Sequence, residues 1–324
     1  MGSNIAEGTV LWTPSEEQRQ AANLTHFMLW LERHQGLHFD DYESLWEWSI
    51  SDLEGFWGAL WEYFGIDSSY ERVLSSREMP GARWFEGARL NYAERALSRR
   101  DNHPAVIATD ETGATEQLTY SELADLVAAM AAALRRLGVG KGDRVAALMP
   151  NIPETLVAFL ATASLGAVWS SCSPEFGIGA VAHRFEQIEP KVLLAVDGYR
   201  YGGKVFDRLG LVEEVRSRIP SLAATIILNR VGSDRPPGTL GWEVLTSDPE
   251  PLRFEQVPFD HPLWVLYSSG TTGLPKPIVQ SQGGILLQHL KDLALQMDLG
   301  ETDRFFWYTS TGWMMWNYLV SGLQ

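Results

Sequence analysis

Between residues 104 and 231, short apolar runs alternate with stretches of helical period, and this alternation restricts the fold more than any other feature of the chain. The runs read AVIAT (105–109), RVAALMP (144–150), AVWSSCSP (167–174), KVLLAVDG (191–198) and LAATIILNRV (222–231). Near-continuous apolarity marks strands buried on both faces, and a helix-length connection between them favours parallel pairing through right-handed crossovers. The fold class expected is therefore α/β: mostly parallel sheets flanked by helices. One helix is expected to start at a capping box, Thr119 with Glu122 three residues on, and to stop at Gly138. A second is expected to start with Asn151 as its cap and Glu154 at its third position, and to end near Gly166. Further helices are read over 177–188, 204–218 and 284–297, and the polar, Pro/Gly-rich stretch 232–262 reads as surface loop.

The first ~90 residues differ in kind. Seven of the thirteen tryptophans fall within the first 84 residues. Over 43–65, Trp46, Ile50, Leu53, Trp57, Leu60, Trp61 and Phe64 recur at helical spacing and form one apolar face. We expect a helical, Trp-rich cap over 1–95 and a core domain over 96–324. Of the net charge of −15, −11 falls in residues 1–71, which carry thirteen acidic and two basic side chains. Such a surface repels phosphate backbones, which excludes a nucleic-acid partner. The longest apolar run, 156–169, is 14 residues and too short to span a bilayer, so no membrane partner is expected. A single cysteine, Cys172, excludes an internal disulfide framework, and no HxxxH or HExxH spacing supports a zinc site. No metal ligands are read, and the compartment expected is the cytoplasm. The apolar stretch 313–324 carries no helix stop signal, so the chain reads as the front part of a longer polypeptide.

Chemistry concentrates in one loop. Tyr267-Ser268-Ser269-Gly270-Thr271-Thr272-Gly273-Leu274-Pro275-Lys276 follows the buried run WVLYSS. Its glycines let backbone N–H groups approach an anion closely, its four hydroxyls add donors, and Lys276 supplies a point charge. That is phosphate-binding chemistry. It is not the GxxxxGK[ST] loop of P-loop nucleotidases, because Gly270 and Gly273 are three apart and the lysine follows a proline.

YSSGTTGLPK resembles the phosphate-loop signature of the adenylate-forming superfamily, which includes acyl-CoA synthetases, luciferases and adenylation domains. The resemblance covers essentially the whole chain. YESLWEWSISDLEGFWGALWEYFGI and MPGARWFEGARLNYAERAL are similar to the cap of acetyl-CoA-synthetase-like members. LTYSELADLVAAMAAALRRLGVGKGDRVAALMPN and FLATASLGAVWSSCSPEFG are similar to the first two core motifs. GGILLQHLK and the run TGWMMWN at 311–317 resemble the acetoacetate-activating branch.

The resemblance implies that a carboxylic acid attacks the α-phosphate of ATP and that the CoA thiol then displaces AMP from the acyl-adenylate. ATP, Mg²⁺ and CoA would be used, with acetoacetate as the acid. Ser268, Ser269, Gly270, Thr271, Thr272, Gly273 and Lys276 match the loop that holds the β- and γ-phosphates. Arg200, Tyr201, Gly202, Gly203 and Lys204 match the segment that meets the CoA nucleotide. Trp313, Met314, Met315 and Trp316 stand where the family lines its acyl pocket, and a β-keto acid there would want a buried donor, Trp313 Nε1 or Asn317. Two positions depart from the family: Pro277 stands where glycine is common, and Gln280 where histidine is common. The superfamily's ribose-binding aspartate, its Mg²⁺-supporting glutamate and its catalytic lysine would lie beyond residue 324. Two other readings stay open: the same reaction on acetate, propionate or a hydroxy-acid, and a non-catalytic nucleotide-binding relative.

Overall fold

Four of the five apolar runs become neighbouring strands of one sheet, because each is long enough only for a strand and apolar on both faces. We number the strands of this sheet β1 (Arg144–Leu148), β2 (Val168–Cys172), β3 (Val192–Val196), β4 (Ala224–Leu228), β5 (Leu240–Gly241), β6 (Pro262–Ser268) and β7 (Lys276–Ser281). Their spatial order is β5-β4-β3-β1-β2-β6-β7. All neighbours pair in parallel except β6 and β7, which form an antiparallel hairpin at one edge. The computed structural model describes residues 6–248, 250–268 and 273–324. It divides into two compact units, Met1–Ile66 with Leu290–Arg304, and Asp67–His289 with Phe305–Gln324.

In the second unit one face of the sheet packs Ala146, Leu148, Cys172, Leu193, Ala195 and Ile227 against Val181, Phe185, Val212 and Val215 from the helices Ile178–Phe185 and Leu209–Arg218. The helix Tyr120–Arg136 begins at the expected capping box, Thr119 with Glu122, and the chain turns left-handed at Gly138 (φ 80°). The helix Pro153–Ser164 is buried along almost its whole length and contributes Phe159 to an aromatic cluster with Tyr92, Trp169, Trp264 and Trp316. Each such ring, fully withdrawn from water, contributes roughly 1.5–3 kcal/mol. Asn91, itself buried, donates from Nδ2 to the carbonyls of Ala163 and Glu255 (both 2.9 Å), which satisfies one end of that helix.

Several expectations need correcting. Asn151 does not cap the helix after β1. Ile152 holds the cap position with no side-chain bond, Pro153 opens the helix, and Asn151 Oδ1 instead accepts from Trp316 Nε1 at 2.9 Å. AVIAT is not in the parallel sheet. Pro104–Thr109 pairs antiparallel with Thr115–Thr119, because a turn at Asp110–Gly113 returns the chain at once, leaving no room for a crossover. The stretch 204–218 starts as a strand, Lys204–Asp207, before its helix. Residues 232–262 are not all loop: Leu240–Gly241 adds strand β5 and Trp242–Thr246 forms a short helix. Residues 72–90 of the expected helical cap are strands, a hairpin of Arg72–Ser76 with Arg83–Glu86 and then Arg89–Leu90, since Pro80, Gly81 and Gly87 break any helical run.

The first unit holds the helices Glu16–Ala21, Asn23–Gln35, Tyr42–Ser51 and Leu53–Tyr63, and a π-helical turn, Asp292–Gln296. The apolar face read over 43–65 is broken at Asp52, whose carboxylate caps the later helix by accepting from Gly55 N at 3.0 Å. The break turns Trp46 and Ile50 to solvent, while Leu60 and Trp61 stay buried with Phe27 and Leu31. Asn23 ties the π-helical turn to its own helix, donating to the carbonyls of Ala294 (3.1 Å) and Leu299 (3.2 Å). Among the described residues no helix is long and apolar enough to cross a membrane.

Candidate functional site

In an open parallel sheet the carboxyl ends of the strands carry the ligand crevice, at the point where successive connections leave in opposite directions. Here β1 connects towards β2 and β3 towards β4, on opposite sides, so that point lies between β1 and β3. The loops after β1, β2, β3 and β6 all emerge at this edge.

The phosphate-loop candidate is the connection of the β6–β7 hairpin. Ser268 and Lys276 are cross-strand partners, so the lysine stands at the hairpin mouth opposite the last residue of β6, with its side chain exposed. Gly273 takes φ 135°, a backbone conformation a side chain would strain. Ser269, Gly270, Thr271 and Thr272 lie outside the described residues. The base of the loop is fixed from one side. Gln187 Nε2 donates to the carbonyl of Pro275 (3.1 Å), and Tyr267 OH donates to the carbonyl of Arg184 (2.6 Å). The Arg184 guanidinium lies over the rings of Tyr267 (5.7 Å) and Phe176 (5.4 Å). Burial pushes the Tyr267 phenol above its ordinary range, so it serves as a neutral donor. Sequence reading did not find Arg184, which has no motif around it; only the fold brings this cation over the Tyr267 ring near the end of β6. Gln280, at the family's histidine position, accepts from Trp264 Nε1 (2.6 Å) and so locks β7 to β6.

The acyl-pocket candidates divide. Thr311 Oγ1 donates to the Met149 carbonyl and Ser171 Oγ to the Thr311 carbonyl (both 2.7 Å), which lays the 311–317 segment across the ends of β1 and β2. A Cβ on Gly312 would come within 2.8 Å of the outer edge of the Phe176 ring, so a side chain here would require that ring to shift. Trp313 and Met314 are exposed, at 64% and 51%, and Met315 is half-buried. Trp316 is 1% exposed, stacked 6.3 Å from Trp169, and is a core residue that holds the segment in place. Of the two donors weighed for a keto group, Trp313 lies on the surface, whereas Asn317 is buried with neither side-chain atom hydrogen-bonded.

Arg200, Tyr201, Gly202, Gly203 and Lys204 form the exposed tip of a hairpin, Gly198–Tyr201 paired with Lys204–Asp207, directly after β3. Gly202 (φ 58°) and Gly203 (φ 72°) make its two-residue turn, a conformation only glycine adopts freely. The base is anchored by Asp197, which is fully buried and accepts from the backbone N–H groups of Arg230 (2.6 Å), Val231 (3.1 Å), Gly232 (3.0 Å) and Ser233 (3.0 Å). Glu154 after β1 and Arg230 after β4 face each other at 3.5 Å. Three histidines of the unit are structural or superficial. His261 meets the Gly166 carbonyl (2.8 Å), buried His289 meets Ser321 Oγ (2.7 Å), and His183 is exposed. Among the described residues there is no group of three His, Cys, Asp or Glu side chains that could hold a metal ion.

Comparison with known proteins agrees with this arrangement. Residues 93–322 match the AMP-binding enzyme family, and residues 42–96 match the acetyl-coenzyme A synthetase N-terminus. An acetoacetyl-coenzyme A synthetase of Rhizobium meliloti is 43% identical over 97% of this chain and 49% of its own length. An acetoacetyl-CoA synthetase of Gallus gallus is 38% identical over 98% of this chain and 50% of its own. The solved acetoacetyl-CoA synthetase of Streptomyces lividans superposes with a TM-score of 0.94 at 54% identity, covering 97% of this chain and 49% of that one. The chain thus spans about half the length of these relatives. With the parallel sheet, the glycine–threonine hairpin and a family match over most of its length, the chain belongs to the AMP-binding enzyme family.

Proposed function

We propose that the protein ligates acetoacetate to CoA with ATP, through an acyl-adenylate, releasing AMP and pyrophosphate. One observation carries the reading: the mouth of the β6–β7 hairpin, where the Lys276 cation stands across from Ser268 at the carboxyl edge of the sheet. A carboxylate oxygen of acetoacetate attacks the α-phosphorus, the bond to the bridging oxygen breaks, and negative charge collects on departing pyrophosphate. Lys276, the loop hydroxyls and the amides from Ser268 to Gly273 neutralise that charge in place, without solvent reorganisation. The CoA sulfur then attacks the acyl carbon, AMP leaves with the electron pair of the C–O bond, and the thiol proton passes to solvent.

The exposed hairpin tip of Arg200, Tyr201, Gly202, Gly203 and Lys204 is the proposed CoA contact, with cations for phosphate and glycine amides for close approach. Trp313, Met314 and Met315 are the proposed wall of the acyl pocket, and Trp316 acts beneath it as scaffold. The names of the curated and solved relatives support acetoacetate as the acid. ATP and CoA are substrates in this reading, and Mg²⁺ is assigned to no described residue.

The test is pyrophosphate release by the full-length protein with acetoacetate, acetate or propionate. Acetoacetate should be preferred, and a clear preference for acetate would overturn the choice of acid. Lys276→Ala should slow adenylate formation by about a hundredfold, the scale of losing one preorganised charge-stabilising donor. An unchanged rate would remove the loop from phosphate handling.

A further inference from the structure

Two hairpin tips meet at the CoA candidate, and one carries the anion the other is built to bind. The turn Asp110–Gly113 joins Pro104–Thr109 to Thr115–Thr119. It is held by Asp110, whose Oδ1 accepts from Thr112 N (2.8 Å), Thr112 Oγ1 (2.6 Å) and Ala114 N (3.1 Å). These bonds also hold the Asp110 carboxyl below its usual range, so the turn is ionised and locked at neutral pH. The locked turn presents Glu111, and Glu111 Oε1 accepts a hydrogen bond from Gly203 N at 3.2 Å. Gly203 is the second turn residue of the other tip, flanked by Arg200 and Lys204, neither of which has an ion-pair partner among the described residues.

We propose that Glu111 is a built-in competitor that occupies the Gly203 amide until a phosphate of CoA displaces it. The inference rests on the assignment of CoA to this hairpin. A carboxylate and a phosphate present similar oxygens to a backbone amide, and they cannot share one N–H at full strength. The carboxylate also opposes phosphate binding through space, at a contact open to water. CoA is thereby held off until its full set of phosphate contacts outweighs one intramolecular bond, which lowers its apparent affinity in proportion to the occupied fraction.

The test uses the full-length protein, with KM for CoA read from thioester formation. Glu111→Ala should lower that KM by about threefold to tenfold, the scale of one hydrogen bond at a contact open to water. ATP–pyrophosphate exchange without CoA should stay at the parent rate. Glu116→Ala removes the same charge from the same hairpin, away from the tip, and should leave the KM for CoA in place. An unchanged or raised KM in Glu111→Ala, or an equal fall in Glu116→Ala, overturns the competitor. The double variant Arg200→Ala/Lys204→Ala separates the two ideas. If it leaves the KM for CoA unmoved, the CoA assignment falls. If it raises the KM while Glu111→Ala does nothing, only the competitor falls.

Discussion

Replacing Asp197 should remove a large part of the molecule's stability, and even its isostere should lose at least half as much. The Asp197 carboxylate is fully buried and gathers four backbone N–H groups from residues 230–233, with Val231 N reaching both oxygens. Asp197→Ala leaves all four donors without their acceptor. The loop that carries them is partly open to water, so the lower end of the usual cost applies, about 1 kcal/mol for each donor and about 4 kcal/mol in total. Asp197→Asn keeps the shape, but each oxygen serves at least two donors. The amide nitrogen must therefore face N–H groups with N–H groups, and about 2–3 kcal/mol should be lost even in the isostere. Urea unfolding followed by tryptophan fluorescence measures both losses from the shift in midpoint. The KM for CoA should rise in both variants more than the KM for ATP, because the Gly198–Asp207 hairpin springs from this residue. An Asn variant within 0.5 kcal/mol of the parent, a bound set by the scatter of neutral surface substitutions, would refute the reasoning.

Two further outcomes are expected. Trp316→Ala should cost about 3–5 kcal/mol by opening a cavity beside Trp169 and Phe159, whereas Trp316→Phe should keep most of the stability and the parent preference among short acids; a changed acid preference at unchanged stability would return Trp316 to the pocket wall. Cys172, whose thiol burial pushes up to about 12, should resist thiol reagents in the native state at pH 8 and react only on unfolding. Its folded value lies above the unfolded one, so its contribution is whole below pH 9 and is lost as the pH rises towards 12; Cys172→Ala should flatten that alkaline decline, and an unchanged slope would refute the assignment.

Local rules were strongest where one residue type has one physical role. The Thr119–Glu122 capping box and the left-handed stop at Gly138 need no partner outside their own helix, so the chain specifies them directly. The near-continuous apolar runs at 144–150, 167–174, 191–198 and 222–231 likewise specified four adjacent parallel strands. The glycine–threonine loop suggested phosphate binding through composition alone, and four of its residues lie outside the described ones, so that role stands as a proposal. Local pattern failed where a competing partner came from far away. Asn151 looked like a cap, but Trp316, 165 residues on, claims its oxygen. Asp52 interrupted an apolar face that periodicity read as continuous, because a capping carboxylate overrides spacing.

The sequence by itself determined the four central parallel strands and the capped helix before them, since these follow from near-neighbour spacing, and the resemblance of its motifs pointed to the family. Only the tertiary structure decided which of Trp313 to Trp316 is core and which is surface, that Arg184 lies over the Tyr267 ring, and that Glu111 touches Gly203. Those facts depend on which strands become neighbours, and burial and electrostatic contact between residues far apart in the chain exist only once that pairing is made.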